Sequence, residues 1–435
     1  MDAFTIENAR VAKCLFGHIM HARLRNTPEE EVAVKWFDSG LALRRCTATG
    51  EPVAEDADME LSILRAAACH PHPHLMAMHP AARKLRACSL TVGEAAASGQ
   101  NLLAVLPWCG RGDLMSHLEE RGRGLPVAEA ARLFTHVASA VHHLHGMGYC
   151  HRDVSLENIF LQAADSGGSG GGGGSGGFRV VLGDFGAAGK VGHHGAPVIR
   201  PGKVTYVAPE VYSRAATGYD GAQVDVYSLG VVLFCLLAGN MPYERPTSSD
   251  PCYAVILRGD MPALVRAWGL QRQFPDSVLD LLTRMMSATP SARPTLGEVL
   301  AHPLCAPHAA AVAAAVAARA TTAPKAQAGA GGGAGGVGGS VGAGGGKDDS
   351  EEAGAYAIAA RKVAAAAAAA VVDLDTSGDT LMGGSDSEGD GDGDGDGDGD
   401  SDLEASGDLD APVALRTRSR VHSVGASHGV SGAVC

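Results

Sequence analysis

The chain has 435 residues, room for one large domain or two ordinary ones, but 59 glycines and only 5% aromatic residues indicate that part of it forms no packed core. The net charge of −13 lies mostly after residue 305, where there are 19 Asp and Glu and 8 Lys and Arg. The first 305 residues are nearly neutral, so they are not predicted to bind nucleic acid. No apolar run approaches the roughly 18–20 residues of a membrane span, and ten cysteines without a CxxC pair predict reduced thiols instead of a disulfide framework.

The predicted elements begin with strands and continue with helices. β-branched and apolar runs bounded by breakers predict three strands, at 4–12, 32–37 and 102–106. Apolar residues at helical spacing predict two helices, at 59–68 and 126–147. Beyond residue 220 the pattern is helical almost throughout, to about residue 303. Strands followed by helices predict an α+β fold with two unequal lobes.

Two stretches have compositions that are typical of chain without fixed structure. Residues 165–177 are Gly and Ser almost throughout and lie between short predicted strands at 159–161 and 179–182, so they predict a flexible insertion in a hairpin loop. Residues 306–435 are rich in Ala, Gly and Asp and poor in aromatic side chains. We predict that this tail is disordered, with at most short transient helices at 309–323 and 363–372.

Seven short motifs follow one another along the first part of the chain. They are VAVK (32–35), MELSIL with Glu60, HRDVSLEN (151–158), GDFG (183–186), APE (208–210), DVYSLG (225–230) and SARPT with Arg293. In this order and spacing the chain resembles the protein kinase family. The resemblance implies a bilobal kinase domain at 4–305, with a small β-rich lobe to about residue 106, a hinge at 107–109 and a larger helical lobe from about residue 110.

The resemblance also implies a reaction and the residues that perform it. ATP would be the phosphate donor, with magnesium, and serine or threonine hydroxyls of proteins the acceptors. Lys35 would hold the ATP phosphates, oriented by the carboxylate of Glu60. Asp153 would accept the proton of the substrate hydroxyl, and Asn158 and Asp184 would bind magnesium through oxygen atoms.

A second carboxylate, Glu55, competes with Glu60 for the ion pair with Lys35. We favour Glu60, because Ile63 and Leu64 on the same predicted helix would face the core with it.

The nucleotide site is implied to draw on nine residues: Ala12, Cys14, Gly17, Ala33, Lys35, Leu106, Cys109, Asp113 and Phe160. Ala33 and Phe160 would enclose the adenine, and Leu106 would set the depth of the pocket. Asp113 either bonds the ribose or caps the helix that follows it. Both roles are open at this stage.

The phosphate-covering loop departs from the family pattern G-x-G-x-x-G. In the matching stretch only Gly17 remains, with Ala12 and Cys14 at the other glycine positions. Glycine lets backbone N–H groups approach a phosphate without a Cβ in the way, so Cys14 is expected to weaken nucleotide binding without abolishing it.

A second departure concerns the catalytic lysine of the family's Ser/Thr members. They usually carry Lys two residues after the catalytic Asp and Thr before the APE motif, whereas this chain has Ser155 and Lys203 there. We expect that the two residue types have exchanged places, with Lys203 supplying the ammonium and Ser155 the hydroxyl. The alternative is two unrelated losses.

Regulation also departs from the family. Arg152 precedes the catalytic Asp, where related enzymes often bind an activation-loop phosphate, but no Ser, Thr or Tyr lies between Asp184 and Gly202. We therefore expect activity without phosphorylation of this loop, and an Arg152 side chain free to bind another group. Structural roles are expected for Asp225, as an anchor of the catalytic loop, and for a pair between Glu210 and Arg293.

Two other functions remain as alternatives to an active Ser/Thr protein kinase. Cys14 and Ser155 favour a pseudokinase, a scaffold with weak or no turnover. The acidic tail could be the functional part instead, docking basic partners. For all three we expect a monomer inside the cell, cytoplasmic or nuclear, without nucleic acid or membrane.

Overall fold

The computed structural model of the protein describes residues 3–163, 177–192, 202–213 and 218–322. The predicted Gly/Ser insertion lies outside these residues except for Gly177, and the tail beyond residue 322 lies outside them entirely.

The small lobe is built on an antiparallel sheet with the strand order β1-β2-β3-β4. Its strands are β1 (Phe4–Cys14), β2 (Gly17–Leu24), β3 (Thr27–Phe37) and β4 (Leu102–Pro107). The register places Ala33 opposite Leu106, and Lys35 opposite Ile19 on its other side. The centre of β3 is therefore the floor of a cleft whose edge is the segment after β4.

Three helices complete the small lobe: α1 (Ser39–Arg44), α2 (Ala57–Cys69) and α3 (Val92–Ala97). Asp56 caps α2 by accepting a hydrogen bond from the Met59 N–H at 3.1 Å, the role that Asp takes at helix N-termini. The α2 residues Leu61, Ile63 and Leu64 are buried in the core. Because residues three and four apart share a helix face, this packing also turns Glu60 inward.

The large lobe is helical. Its longer helices are α4 (Leu114–Arg121), α5 (Val127–Gly146), α7 (Gly221–Ala238), α8 (Pro251–Leu257), α9 (Met261–Ala267), α10 (Asp276–Met285) and α12 (Ala306–Thr322), and its shorter ones are α6 (Pro209–Tyr212) and α11 (Leu296–Ala301). Helix α7 is long and apolar enough to cross a membrane, but 83% of it is buried inside the protein. It is the core helix of this lobe.

Two short antiparallel pairs position the catalytic segments. Strand β5 (Tyr149–Cys150) pairs with β8 (Gly189–Lys190), and β6 (Ile159–Ala163) pairs with β7 (Phe178–Leu182). The HRDVSLEN segment lies between β5 and β6, and the GDFG segment lies between β7 and β8. Both segments therefore meet at the same edge of the large lobe.

The predicted α+β fold with a small sheet-rich lobe and a larger helical lobe is confirmed. The tail from residue 306, predicted to be disordered with a transient helix at 309–323, begins with helix α12, which covers Ala306–Thr322. Cys305, Ala309 and Val312 are at most 4% exposed, and α12 packs against α5. Burial of these side chains against the lobe accounts for an ordered helix at the start of the tail.

Buried imidazoles join the loop after α2 to helix α5. The rings of His74 and His136 stack with their centroids 4.0 Å apart, and His143 Nε2 lies 2.8 Å from the His70 carbonyl oxygen. Burial lowers the pKa of His74 to about 4, that of His136 to about 2 and that of His143 to about 4. These rings are neutral in the folded protein at pH 7.

Acidification is therefore expected to weaken the fold. The folded pKa values lie below the unfolded value of about 6.5, so the unfolded chain binds more protons than the folded one at lower pH. The stability from the neutral rings is fully present above about pH 6.5 and is lost at about 1.4 kcal/mol per group and pH unit, toward about pH 4 for His74 and His143 and toward about pH 2 for His136. The free energy of urea unfolding at about pH 7.5 and about pH 5.5 measures this, and His136→Phe should reduce the difference between the two values. A difference unchanged in that variant would contradict the role of His136.

Candidate active site

A buried ion pair connects β3 to α2. Lys35 Nζ lies 2.6 Å from Glu60 Oε1, and each side chain is 4% exposed. Lys35 Nζ also lies 3.4 Å from Asp184 Oδ1, whose side chain is 35% exposed. Burial alone would lower the pKa of Lys35, but the carboxylates of Glu60 and Asp184 outweigh it and hold the pKa well above its ordinary value. Lys35 is therefore a cation at the back of the cleft.

Glu55, the other candidate for the ion pair, has a different contact. Its carboxyl group packs against Gly186, where an added Cβ would come within 3.0 Å of it. Burial, reinforced by the charge of Asp184, raises the pKa of Glu55 to about 7. The structure thus places Glu60, and not Glu55, against Lys35.

The catalytic loop holds Asp153 and Asn158 together. The Asn158 side-chain amide donates to Asp153 Oδ2 and to the Asp153 carbonyl oxygen, both at 2.8 Å. Two residues that flank the cleft, Arg152 and Asp184, have φ of 63° and 62°, a left-handed conformation that non-glycine residues adopt at a cost. Lys35 lowers the pKa of Asp184 against the opposing effect of burial, so this carboxylate is ionised.

The predicted anchor of the loop is confirmed. The Asp225 side chain is fully buried, and it accepts hydrogen bonds from the N–H groups of His151 and Arg152, both at 2.7 Å. His145 Nε2 on α5 lies 2.8 Å from the same carboxylate. Asp225 therefore fixes the backbone immediately before Asp153.

Arg152 is not free, contrary to the sequence prediction. Its guanidinium donates to the carbonyl oxygens of Ala187 and Ala188, both at 2.7 Å, and to the Tyr219 hydroxyl at 3.4 Å. The prediction was wrong because its partners are backbone carbonyls, which a side-chain pattern does not reveal. The arginine already holds the segment that follows GDFG.

The side chains of Lys203 and Ser155, the two residues that depart from the family pattern, are in contact. Lys203 Nζ lies 3.0 Å from Ser155 Oγ, 3.3 Å from Asp153 Oδ2 and 3.3 Å from Asn158 Oδ1. Ser155 is fully buried, whereas the Lys203 side chain is 36% exposed. The structure therefore brings together all four residues at the centre of the predicted site.

Gly202 is a functional residue that the sequence reasoning did not identify. It has φ of 81°, and an added Cβ would lie 2.7 Å from the Arg152 carbonyl oxygen. Only glycine allows this approach, which seats Lys203 beside Asp153. The Pro201-Gly202 dipeptide, a common turn signal, could have pointed to it.

Four of the residues predicted around the adenine are buried in the structure. Ala33 and Leu106 are paired across β3 and β4 and are buried, as are Cys109 after β4 and Phe160 on β6. Ile19 on β2 lies opposite Lys35 and is 3% exposed.

The altered loop at the β1–β2 turn requires glycine at one position. A Cβ on Gly17 would lie 2.0 Å from the Trp36 carbonyl oxygen, so close packing alone requires glycine there. Ala12 and Cys14 are partly exposed and lie opposite Ile19 and Gly17 on β2. Burial raises the pKa of the Cys14 thiol to about 11, so it is protonated at neutral pH.

Asp113 acts as the N-cap of α4. Its Oδ1 accepts a hydrogen bond from the Ser116 N–H at 2.7 Å, and its backbone bridges to Phe160. Of its two predicted roles, the structure shows helix capping.

The comparisons with known proteins agree with this geometry. The family model of the protein kinase domain matches residues 14–305. The chain is 30% identical to the serine/threonine-protein kinase SRK2J of Arabidopsis thaliana over 54% of this chain and 58% of that protein. It is 31% identical to the CBL-interacting protein kinase 20 of Oryza sativa subsp. japonica over 60% and 48%.

A third relative is the carbon catabolite-derepressing protein kinase of Secale cereale, at 28% identity over 63% of this chain and 46% of that protein. The chain spans about half the length of the curated relatives it matches.

Proposed function

Because this chain belongs to the protein kinase family, we propose that it is a serine/threonine protein kinase that transfers the γ-phosphate of ATP to hydroxyl groups of protein substrates. The observation that carries this proposal is the position of Lys35, which pairs with Glu60 at 2.6 Å and reaches Asp184 at 3.4 Å. Phosphoryl transfer depends on positioning and charge neutralisation, and these contacts place a fixed cation where ATP phosphates would bind.

The residues of the cleft fit magnesium as the accompanying ion. Asp184 offers an ionised carboxylate and Asn158 an amide oxygen, the hard oxygen ligands that magnesium prefers. Among the described residues no group of three or more His, Cys, Asp or Glu could hold a metal by itself. This is in keeping with an ion bound by one or two side chains together with substrate phosphates. Magnesium would neutralise charge on those phosphates.

Asp153 is the base in this proposal. Its carboxylate faces the cleft at 16% exposure, and Asn158 and Lys203 orient it. The substrate hydroxyl gives its proton to Asp153 as its oxygen bonds to the γ-phosphorus. The bond from that phosphorus to the bridging oxygen breaks, and ADP leaves with the electron pair.

The adenine would lie between Ala33 and Phe160, with Leu106 at the back of the pocket and Cys109 at the hinge. The burial of these side chains supports this assignment. The loop with Ala12, Cys14 and Gly17 would cover the phosphates.

A scaffold without turnover is the rival that the altered loop suggests. The contacts of Lys35, Asp153 and Asp184 argue against it, because a scaffold would not need an ordered base and an ionised metal ligand together.

The kinase would be active without phosphorylation of its activation loop. Arg152 supports this, since it holds Ala187 and Ala188 through hydrogen bonds that need no phosphate.

We further propose that the protein acts as a monomer inside the cell, in the cytoplasm or nucleus. The nine described cysteines are all free thiols, which supports a reducing compartment. The acidic tail would attract basic partners.

The test is phosphate transfer from γ-labelled ATP, with magnesium, to peptides that differ only in carrying Ser, Thr or Tyr. We expect label on Ser and Thr and little on Tyr, and none with Lys35→Met, which lacks the cation. Label on Tyr alone, or equal label with the variant, would contradict the proposal.

A further inference from the structure

The cation nearest to the proposed base comes from outside the catalytic loop. Lys203 Nζ lies within 3.3 Å of Asp153 Oδ2, Ser155 Oγ and Asn158 Oδ1. Lys35, the cation at the back of the cleft, is paired with Glu60 and Asp184. Lys203 supplies a second positive charge, directly beside the base.

We propose that Lys203 is a catalytic residue and that its ammonium stabilises the phosphoryl group during its transfer. Lys203 lies in the activation segment, the stretch from the GDFG motif to the APE motif. This inference rests on the proposed kinase function. Ser155 is the positioning residue for Lys203. Its buried hydroxyl oxygen accepts a hydrogen bond from Lys203 Nζ at 3.0 Å and so holds the ammonium at the catalytic loop.

The charges in the reaction explain why an ammonium is needed here. As the acceptor oxygen bonds to the γ-phosphorus and ADP departs, negative charge is spread over the oxygens of the transferred group. The acceptor hydroxyl must lie within hydrogen-bond reach of Asp153, so these oxygens pass close to Lys203 Nζ. A preplaced cation at that position lowers the barrier more than it stabilises the bound substrate.

The backbone makes this charge depend on the activation segment. The Lys203 N–H donates to Asp153 Oδ1 at 3.0 Å, and the Lys203 carbonyl oxygen accepts from the N–H groups of Tyr206 and Val207, both at 3.0 Å. The φ of 81° at Gly202 permits the close approach to the Arg152 carbonyl oxygen. The position of the ammonium therefore depends on these contacts between the segment and the catalytic loop.

The competing explanation is that Lys203 only ties the segment to the loop. A structural tie would be reflected in substrate binding and stability, whereas a catalytic charge is reflected in kcat. The two explanations therefore predict different kinetic effects of the same substitution.

The experiment measures kcat, KM and ATP affinity for the full chain and its Lys203→Thr variant. We expect kcat to fall about 10²-fold while the calorimetric ATP affinity changes less than about threefold. Lys203→Arg, which keeps the charge, should retain more activity than Lys203→Thr. The matched control is Lys190→Thr on the same segment, whose ammonium lies 3.8 Å from the Tyr149 ring centroid and which should leave kcat unchanged.

The second arm restores the lysine to the catalytic loop. Adding Ser155→Lys to Lys203→Thr should raise kcat at least about tenfold above Lys203→Thr alone, a non-additive gain. An unchanged kcat in Lys203→Thr would overturn the inference, as would reductions in kcat that simply multiply in the double variant. In either case turnover by the wild type would still support the kinase proposal. A wild-type chain without transfer would overturn both.

Discussion

Asp153→Asn is expected to reduce kcat by about 10³-fold, because general-base catalysis is lost while the side chain keeps its shape. The amide oxygen can still accept the Lys203 N–H that Asp153 Oδ1 accepts at 3.0 Å, but the amide nitrogen cannot accept from Asn158 as Asp153 Oδ2 does. The unfolding temperature should therefore fall, whereas ATP binding, which does not use this carboxylate, should stay close to wild type. Steady-state transfer to a Ser peptide, together with calorimetric ATP binding, separates the two effects.

The matched control for this substitution is Asp260→Asn, which changes a helix-capping carboxylate that is bound to the Ala263 N–H. Asparagine caps helices about as well as aspartate, so its kcat should be unchanged. Activity in Asp153→Asn within about tenfold of wild type would remove Asp153 from the role of base.

Arg293→Met is expected to destabilise the large lobe by about 3–5 kcal/mol. Arg293 donates to both carboxylate oxygens of Glu210, at 2.7 and 2.8 Å, and to the carbonyl oxygens of Ser287 and Gln223. The arginine side chain is fully buried. Its loss leaves the Glu210 charge and two carbonyl groups without their donor, which is the costly way to break a buried pair.

The free energy of urea unfolding checks this prediction. Arg284→Met serves as the control, since Arg284 makes an exposed pair with Asp280 and its loss should cost less than about 1 kcal/mol. Equal small losses in both variants would show that the Glu210–Arg293 pair does not stabilise the lobe.

The chemistry of the site could be predicted from sequence because it resides in short motifs. Lys35, Glu60, Asp153, Asn158 and Asp184 each lie in a segment whose residue types limit their roles. The pair between Glu210 and Arg293 was predicted for the same reason and is confirmed. Ser155 and Lys203 each depart from the family pattern, and the contact between their side chains supports an exchange of the two residue types.

The features that the sequence reasoning missed depend on backbone geometry and on packing. Arg152 binds carbonyl oxygens, and every residue carries one, so no side-chain pattern marks its partners. Gly202 is needed for one close approach between distant segments. The sequence predicted only a transient helix at 309–323, because alanine buries little area. In the structure α12 is ordered and packs against α5.

We propose that the catalytic centre is complete in a chain without an activation-loop phosphate. The most direct test is transfer from γ-labelled ATP to a Ser peptide by protein that has been treated with phosphatase and shown by intact mass to carry no phosphate. We expect turnover to be equal before and after the treatment and to be lost in Asp153→Asn. Turnover that disappears with the phosphate, or that persists in Asp153→Asn, would contradict it.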